Sequence, residues 1–452
     1  MPFEGEFASY EPLRRIMESD KVKAIENRFK IRQSDGQEDD FLTQLTDKSQ
    51  LTPSDWQPDM ILGIDGSYHA AKAENGFPGA EFGYITVASV LILLDKIREL
   101  EKQEFIAPKA FRETEKASTI DAVFPGCNVI IDEEESAKAS MRKTLFEQLL
   151  GNVVFTEGET LLETYEALLK IKRDKGGDSK APKCPCEDEK EYQYGYGQYD
   201  CTTCGKLLYS TDALRLHELH NPAGSCGEMY GQIMFTLERL WLIHILRAFE
   251  RKGWLPTLRR LAFMIDGTLA VYSTSSWLTK SITDELKRLN DLQKTVNGTD
   301  LLILGIEKSG TFVNHFVDID TDKEGGKDKF PSQSALLLDD AYIKKNIIFS
   351  QSDKIYGKDT YFGRKFFYKT KTGYKVVSSI ATFNDYQQDL TTANTNQFPR
   401  LADAMNLLDQ VTSNRYPNSV TPLITAHSEA AIPLNLGKRL FEEIAREIRK
   451  RT

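Results

Sequence analysis

The sequence lacks a long apolar segment. Among its 452 residues, the strongest apolar run, Tyr84 to Leu94, is 11 residues long, which is about half of the ~20 residues that a membrane-spanning helix needs. This run suits a buried strand. The first residues, MPFEGEFASYEP, contain neither the basic segment nor the apolar segment of a signal peptide, so we expect no signal peptide. These two features predict a cytoplasmic protein that does not span a membrane.

The sequence also lacks an excess of positive charge. Its 58 Lys and Arg residues are outnumbered by 67 Asp and Glu residues, which gives a formal net charge of −9. This balance argues against a protein that coats nucleic acid through charge alone. Hydrophobic residues make up 40% of the chain and charged residues 28%, as is typical of a folded globular protein.

Cysteine is scarce outside one segment, because five of the six cysteines lie between positions 184 and 226. Clustered cysteines in a cytoplasmic protein more often bind metal than form disulfides. The pairs Cys184/Cys186 and Cys201/Cys204 are separated by 14 residues, and four thiolates fit tetrahedral zinc. We therefore predict a zinc knuckle that stabilises its own loop and takes no part in catalysis.

Other interpretations of the cysteines remain open. His217, His220 or Cys226 can replace one of the four thiolates as a ligand, and the cysteines can also form disulfides or hold no metal. Cys127 stands apart and is most simply a small buried residue.

Apolar strand candidates alternate with helical segments, which predicts an α/β fold with partly parallel pairing. We expect hairpins at 60–94 and 361–383, mainly helical sequence at 95–170, and a long helix at 227–251. A polar, partly helical extension (1–58) precedes one domain (59–452), and the cysteine-rich insertion (173–226) interrupts that domain.

Two of the strand candidates end in the same way. Residues 63–67 read GIDGS and residues 264–268 read MIDGT, so each strand delivers an aspartate, then a glycine and a hydroxyl residue. Functional groups in open α/β sheets tend to lie at strand ends, which makes Asp65 and Asp266 candidates for a site. The alternative is that Asp-Gly forms a turn after each strand.

The helix between these strands supplies a third carboxylate. Glu238 shares a helical face with the apolar residues Met234 and Trp241, where an unpaired carboxylate is costly. It is therefore predicted to bind a metal ion. The alternative is a salt bridge, for example to Arg239 or Arg247.

Three carboxylates form a site of hard oxygen ligands, which suits Mg²⁺ or Mn²⁺. Two such ions ~3.5–4 Å apart can activate water and stabilise the leaving oxygen in phosphodiester cleavage. His427, in the segment TPLITAHSEAAIP, is a candidate fourth ligand, since Mn²⁺ accepts mixed oxygen and nitrogen ligands.

At these residues the sequence resembles the NurA nuclease family. The segments that carry the resemblance occur in one order over most of the chain: GIDGS at 63–67, TLERLWLIHIL around Glu238, FMIDGT at 263–268, LGIEKSG at 304–310 and NRYPNSVTPLITAHSEA at 414–430.

The resemblance implies a ribonuclease H-like mixed sheet flanked by helices and a metal-dependent DNA nuclease that favours Mn²⁺. It also implies that a dimer of the chain docks on a HerA-type hexameric DNA-translocating ATPase in DNA end processing. The cysteine-bearing insertion and the long polar N-terminus depart from compact members of the family and leave phage defence as the alternative role. The residues that match the family's metal-binding and catalytic positions are Asp65, Glu238, Asp266 and His427. Lys308 and Tyr416 lie in family-like segments and are candidate substrate contacts.

Two other functions fit parts of the sequence. An actin-like or sugar-kinase-like ATPase also uses a first loop similar to GIDGS, but it needs a second glycine-rich phosphate loop, and residues 266–273 lack the extra glycines. No GxxxxGK[ST] motif occurs either. A zinc-bearing adaptor of a DNA motor, with purely structural carboxylates, is the second alternative.

Overall fold

The computed structural model describes residues 10–26, 28–29, 40–72, 80–94, 115–132, 134–154, 158–175, 195–202, 204–321, 328–412 and 421–431. The chain divides into two compact units, Met1–Asp40 and Phe41–Thr452. In the first unit, helix α1 spans Glu11–Glu18 and helix α2 spans Asp20–Glu26. Arg14 of α1 lies 3.7 Å from Glu11 and 3.5 Å from Glu18, and all three side chains are exposed.

The second unit contains the strands and the remaining helices. The strands are β1 (Leu45–Asp47), β2 (Met60–Lys72), β3 (Glu81–Leu93), β4 (Glu115–Pro125), β5 (Gln198–Asp200), β6 (Leu207–Tyr209), β7 (Leu261–Asp266), β8 (Ile303–Glu307), β9 (Ser334–Leu337), β10 (Gly363–Lys369) and β11 (Lys375–Ala381). The α-helices are α3 (Ala137–Gly151), α4 (Leu161–Lys175), α5 (Gly227–Arg251), α6 (Leu278–Asn297), α7 (Thr311–Asp320), α8 (Asp340–Asn346), α9 (Asp385–Gln388), α10 (Leu401–Val411) and α11 (Thr421–Ala430). Short 3₁₀ helices span Asp40–Gln44, Lys48–Gln50, Ser210–Leu214, Leu216–Leu219, Leu255–Arg260, Ser273–Ser275 and Thr395–Gln397.

Nine strands form one mixed sheet in the order β1-β9-β10-β11-β8-β7-β2-β3-β4. Strands β2, β3 and β4 form an antiparallel meander, whereas β7 and β8 run parallel to β2. Strands β11, β10, β9 and β1 extend the sheet beyond β8 with antiparallel pairs only. Strands β5 and β6 form a separate hairpin.

Helices cover both faces of the sheet because the side chains of its central strands alternate between two apolar layers. Ile64 of β2 belongs to the layer that contains α5 and α6, and Ile61 belongs to the layer that contains α10 and α11. Trp241 of α5 and Leu423 of α11 are buried on the respective sides. The centre of the sheet is therefore inaccessible, and polar side chains can reach solvent at the strand ends.

The structure confirms several predicted elements. Both hairpins are present, as β2–β3 and β10–β11, and the long helix is α5. The partly parallel α/β sheet is also confirmed.

One predicted strand end is wrong, and one strand was missed. Strand β2 does not stop at Asp65–Gly66 but continues to Lys72, because β3 pairs with it along its whole length. The segment 95–170 was expected to be mainly helical, and α3 and α4 confirm helices in it, but β4 in the same segment was not predicted. Ile120, Ala122 and Phe124 of β4 alternate with exposed residues, which is the two-residue period of a strand.

No helix in the described part of the chain combines the length and the apolar character needed to cross a bilayer.

The core on the α5 side can be tested on helix α6. Leu286 is fully buried, whereas Leu292, on the same helix, is 38% exposed. We expect Leu286→Ala to lower the free energy of unfolding by about 2–5 kcal/mol, because it leaves a cavity. Leu292→Ala is the matched control and should change it by less than about 0.5 kcal/mol. Urea denaturation measures both, and equal effects would contradict the assigned packing.

Candidate active site

The candidate site lies where strands β2 and β7 separate. Their parallel pairing ends at Ile64 and Ile265, one residue before Asp65 and Asp266. Beyond that point β2 stays paired with β3, while β7 pairs through Asp266 with β8. The two aspartates thus lie side by side at the mouth of a gap between the strands.

Lys308 bridges the two aspartates. It directly follows β8, and its Nζ lies 2.9 Å from Asp65 Oδ2 and 2.9 Å from Asp266 Oδ1. The Asp65 side chain is only 1% exposed, while those of Asp266 and Lys308 are 33% and 32% exposed. One ammonium group is therefore shared by a buried and a half-buried carboxylate, and it offsets only one of their two negative charges.

His427 reaches the same carboxylate from helix α11. Its Nδ1 lies 3.3 Å from Asp65 Oδ2, and its side chain is 57% exposed. Leu423 and Ala426 of the same helix are buried, so α11 is held against the sheet while His427 faces the opening. The structure therefore brings together Asp65, Asp266, Lys308 and His427 on the α11 side.

Glu238 approaches from the opposite side of the sheet, through the space left by Gly66. A Cβ atom on Gly66 would lie 2.7 Å from Glu238 Oε1 and 2.7 Å from Met234 Cγ. Gly66 is extended and belongs to β2, so a side chain is excluded here by lack of space and not by the backbone angle. The pKa of Glu238 is raised to about 8, chiefly by burial. The positive charge of Arg239 lowers this pKa, whereas the negative charges of Asp65 and Asp266 raise it further.

Arg239 joins Glu238 to the end of β7. It forms an ion pair with Glu238 through Nη1, and its Nη2 donates hydrogen bonds of 3.0 Å to the carbonyl oxygens of Asp266 and Thr268. Gly267, between these two carbonyls, has φ +75°, so the turn predicted after Asp-Gly does occur in this second strand. The salt bridge that was the alternative interpretation of Glu238 is thus present.

The electrostatics of the site reflect crowded negative charge. Burial raises the pKa of Asp65, and the charge of Asp266 raises it further, while Lys308 and His427 act in the opposite direction. Burial alone would lower the pKa of Lys308, but the charges of Asp266 and Asp65 outweigh it and raise that pKa. The site therefore favours additional positive charge.

The donor set has the chemistry of a magnesium or manganese site, since hard carboxylate oxygens dominate and one imidazole is at hand. The ammonium of Lys308 marks a cation position shared by Asp65 and Asp266. Across the described ranges, however, no group of three or more His, Cys, Asp or Glu residues is arranged to hold a metal ion. Glu238 is instead engaged with Arg239.

The other predicted site residues are placed only in part. Tyr416, Cys184 and Cys186 lie outside the described residues. Cys201 is buried and Cys204 is exposed at the end of the β5–β6 hairpin. The four-cysteine zinc site and the role of Tyr416 stay predictions.

Two residues of the site escaped the sequence analysis as functional residues. Gly66 was interpreted only as a possible turn residue, and Arg239 only as a possible partner for Glu238. A signal for Arg239 was present, because two adjacent charges in the apolar part of a helix must find partners when buried. Gly66 carried no local signal, since its role depends on a helix more than 160 residues away.

Taken together, the chain is an α/β protein with an acidic site where two parallel strands separate, and a lysine bridges the two aspartates of that site. Residues 59–432 match the NurA domain. Because this match covers most of the sequence, the chain belongs to the NurA family. No curated protein matches the chain.

Several solved structures are similar to the chain over almost its full length. The NurA nuclease from Sulfolobus solfataricus is 10% identical with a TM-score of 0.33, covering 98% of this chain and 97% of that one. Another NurA structure is 10% identical with a TM-score of 0.24, covering 97% of this chain and 98% of that one. A NurA structure with manganese is 11% identical with a TM-score of 0.21, covering 94% and 93% of the respective chains. Membership of the NurA family follows from the domain match over residues 59–432.

The close approach at Gly66 gives a prediction about stability. Gly66→Ala should lower the free energy of unfolding by about 1–3 kcal/mol, because the buried Glu238 and the partly buried Met234 both lie against this glycine and must move. Gly151→Ala is the matched control, since a Cβ atom there meets nothing within 4 Å. Urea denaturation compares the two variants. Equal stability of Gly66→Ala and the native protein would contradict the described approach of Glu238.

Proposed function

We propose that this member of the NurA family is a divalent-metal-dependent deoxyribonuclease that cleaves as an exonuclease, a single-strand endonuclease or both. The observation that carries the proposal is the shared cation position between Asp65 and Asp266, where β2 and β7 separate. Family membership over residues 59–432 supports it.

The proposed fold type is ribonuclease H-like. Support comes from the strand order β4-β3-β2-β7-β8 within the large sheet. An antiparallel meander of three strands is followed by two strands parallel to its first member. This arrangement brings an aspartate of the first meander strand next to an aspartate of the neighbouring parallel strand.

Mn²⁺, or Mg²⁺, is the proposed cofactor, and a related NurA structure was obtained with manganese. Asp65 and Asp266 would hold the cation. Glu238 would act directly or through a water molecule, and His427 would complete the set. When bound, such cations lower the pKa of the attacking water and stabilise charge on the leaving oxygen.

The protein's own side chains perform the remaining tasks. Asp65 is rigidly held because it lies within a strand paired to β3. His427 is exposed beside it, so its ring is available to a substrate phosphate. Lys308, at 32% exposure, can neutralise a phosphate of the DNA backbone. Arg239 holds Glu238 and the turn after β7 in place.

We also propose that Cys184, Cys186, Cys201 and Cys204 bind a structural zinc ion. Support comes from the turn between β5 and β6. The Gly205 amide donates a 2.8 Å hydrogen bond to the Cys201 carbonyl, and Gly205 has φ +72°. This tight turn presents both cysteines of the CxxC pair at one end of a hairpin, as a zinc knuckle requires.

The proposed partners are DNA, a second copy of the chain and a HerA-type hexameric ATPase, in the cytoplasm. The process would be DNA end resection and repair, or phage defence. The net charge of −9 fits a nuclease that receives DNA from the channel of a motor protein, because such a nuclease needs no basic surface of its own for capture.

The nuclease proposal predicts that Asp65→Asn and Asp266→Asn each lower cleavage at least about 100-fold, which is ~2.7 kcal/mol in the activation barrier. Asp359→Asn is the control, since Asp359 is 72% exposed and pairs with Lys280 at 3.4 Å. Labelled single- and double-stranded DNA is incubated with each protein, with and without the motor, in Mn²⁺, Mg²⁺ or EDTA.

The outcomes of this experiment separate the candidate functions. Cleavage that resists both substitutions or EDTA would refute a metal-dependent nuclease. Binding of DNA or of the motor without metal-dependent cleavage would favour an adaptor, and ATP turnover without cleavage would favour an actin-like ATPase.

The zinc proposal predicts about one zinc ion per chain and its loss in Cys201→Ser. Cys127→Ser is the control, because Cys127 is a buried cysteine outside the cluster. Elemental analysis of the purified proteins measures the zinc content. An unchanged zinc content in Cys201→Ser would show that this residue is not a ligand.

A further inference from the structure

Lys308 and a metal ion cannot share the same place. The ammonium nitrogen is 2.9 Å from Asp65 Oδ2 and 2.9 Å from Asp266 Oδ1. A divalent ion held by these two oxygens would lie ~2.0–2.2 Å from each of them, within the volume that the ammonium now fills. Binding of the ion by both aspartates therefore requires Lys308 to leave.

We propose that Lys308 is a built-in competitor for the divalent cation: it occupies the shared position between Asp65 and Asp266 in the metal-free protein and lowers its metal affinity. This inference rests on the proposed function, because it takes these aspartates as metal ligands. It goes beyond that function by assigning Lys308 a role before any DNA is bound.

The metal-free site has a physical need for such a group. Asp65 is 1% exposed, and Asp266 lies close enough to share its cation. Two adjacent carboxylates without a counter-charge are strongly unfavourable when buried. His427 lies 3.3 Å from Asp65. Lys308 bridges both carboxylates and keeps the strand ends together.

Lys308 is also suited to leaving. A lysine carries a compact charge on a flexible stem of four carbons, and this side chain is 32% exposed just beyond the end of β8. Arg239 contrasts with it, because its side chain is fully buried and its Nη2 is bonded to two carbonyl oxygens. We therefore expect the cation to replace Lys308 while Glu238 keeps its arginine partner.

The competition has a measurable consequence. If the site is open to the ion for only a fraction of the time, the apparent association constant for the metal equals the intrinsic constant multiplied by that fraction. A lysine bound nine-tenths of the time weakens binding about tenfold. Removing the ammonium should therefore tighten metal binding, whereas the loss of a ligand or of general stability would weaken it.

The test measures the binding of Mn²⁺ alone, from the electron paramagnetic resonance of the unbound ion. Lys308→Met should bind Mn²⁺ about tenfold more tightly than the native protein, melt at a lower temperature in EDTA and gain more thermal stability from Mn²⁺. Lys48→Met is the matched control, since Lys48 also pairs with a largely buried aspartate, Asp409, at 2.6 Å, and its Mn²⁺ affinity should be unchanged.

A second variant keeps the test decisive if Lys308→Met does not fold without metal. Lys308→Arg retains the positive charge and can contact both carboxylates, so it should bind Mn²⁺ no more tightly than the native protein. Tighter binding by Lys308→Arg would overturn the proposal. Unchanged or weaker binding by Lys308→Met would do so as well.

Asp65→Asn separates this inference from the proposed function. If the native protein binds Mn²⁺ and Asp65→Asn does not, the metal site stands, and the two Lys308 variants then decide on the competitor alone. If the native protein binds no Mn²⁺, or Asp65→Asn binds it equally well, the proposed metal site and the competitor both fail.

Discussion

The separation of two parallel strands after Ile64 and Ile265 is the constraint on which the site depends. Strand β2 cannot follow β7 further, since it stays paired with β3 as far as Lys72. Strand β7 ends one residue later, in a turn that Arg239 holds through two carbonyl oxygens. At the resulting gap, the carboxylates of Asp65 and Asp266 lie on one face of the sheet, and that of Glu238 approaches from the other face.

Charge balance explains why the site has its particular composition. Asp65, Asp266 and Glu238 bring three carboxylates into a poorly hydrated place, and Lys308 and Arg239 supply two positive charges. The pKa of Asp65 and that of Glu238 are both raised, chiefly by burial. The site thus retains a demand for positive charge that a divalent cation would satisfy.

Part of this site could be predicted from sequence because its signals are local. Asp65 and Asp266 each follow an apolar strand segment, and the faces of helix α5 follow from helical periodicity, which singles out Glu238. The contact between Lys308 and Asp65 joins residues 243 positions apart, and no local pattern encodes such a distance. The two Asp-Gly pairs, which could each have indicated a turn, differ in structure. Gly267 forms a turn with φ +75°, whereas Gly66 continues a strand and leaves space for Glu238. Strand β4 was missed because its pairing with β3 outweighed its charged composition.

The same physical argument links the stability of the site to its proposed activity. In the absence of a metal ion, a cluster of carboxylates must either remain exposed to solvent or be paired with a positively charged side chain. Asp65, at 1% exposure, cannot rely on water. Lys308 supplies this counter-charge. The more tightly its ammonium binds the two aspartates, however, the lower the affinity of the site for the metal ion becomes. The position of Lys308 at a strand end, half in solvent, limits that hold and leaves the site able to exchange one cation for another.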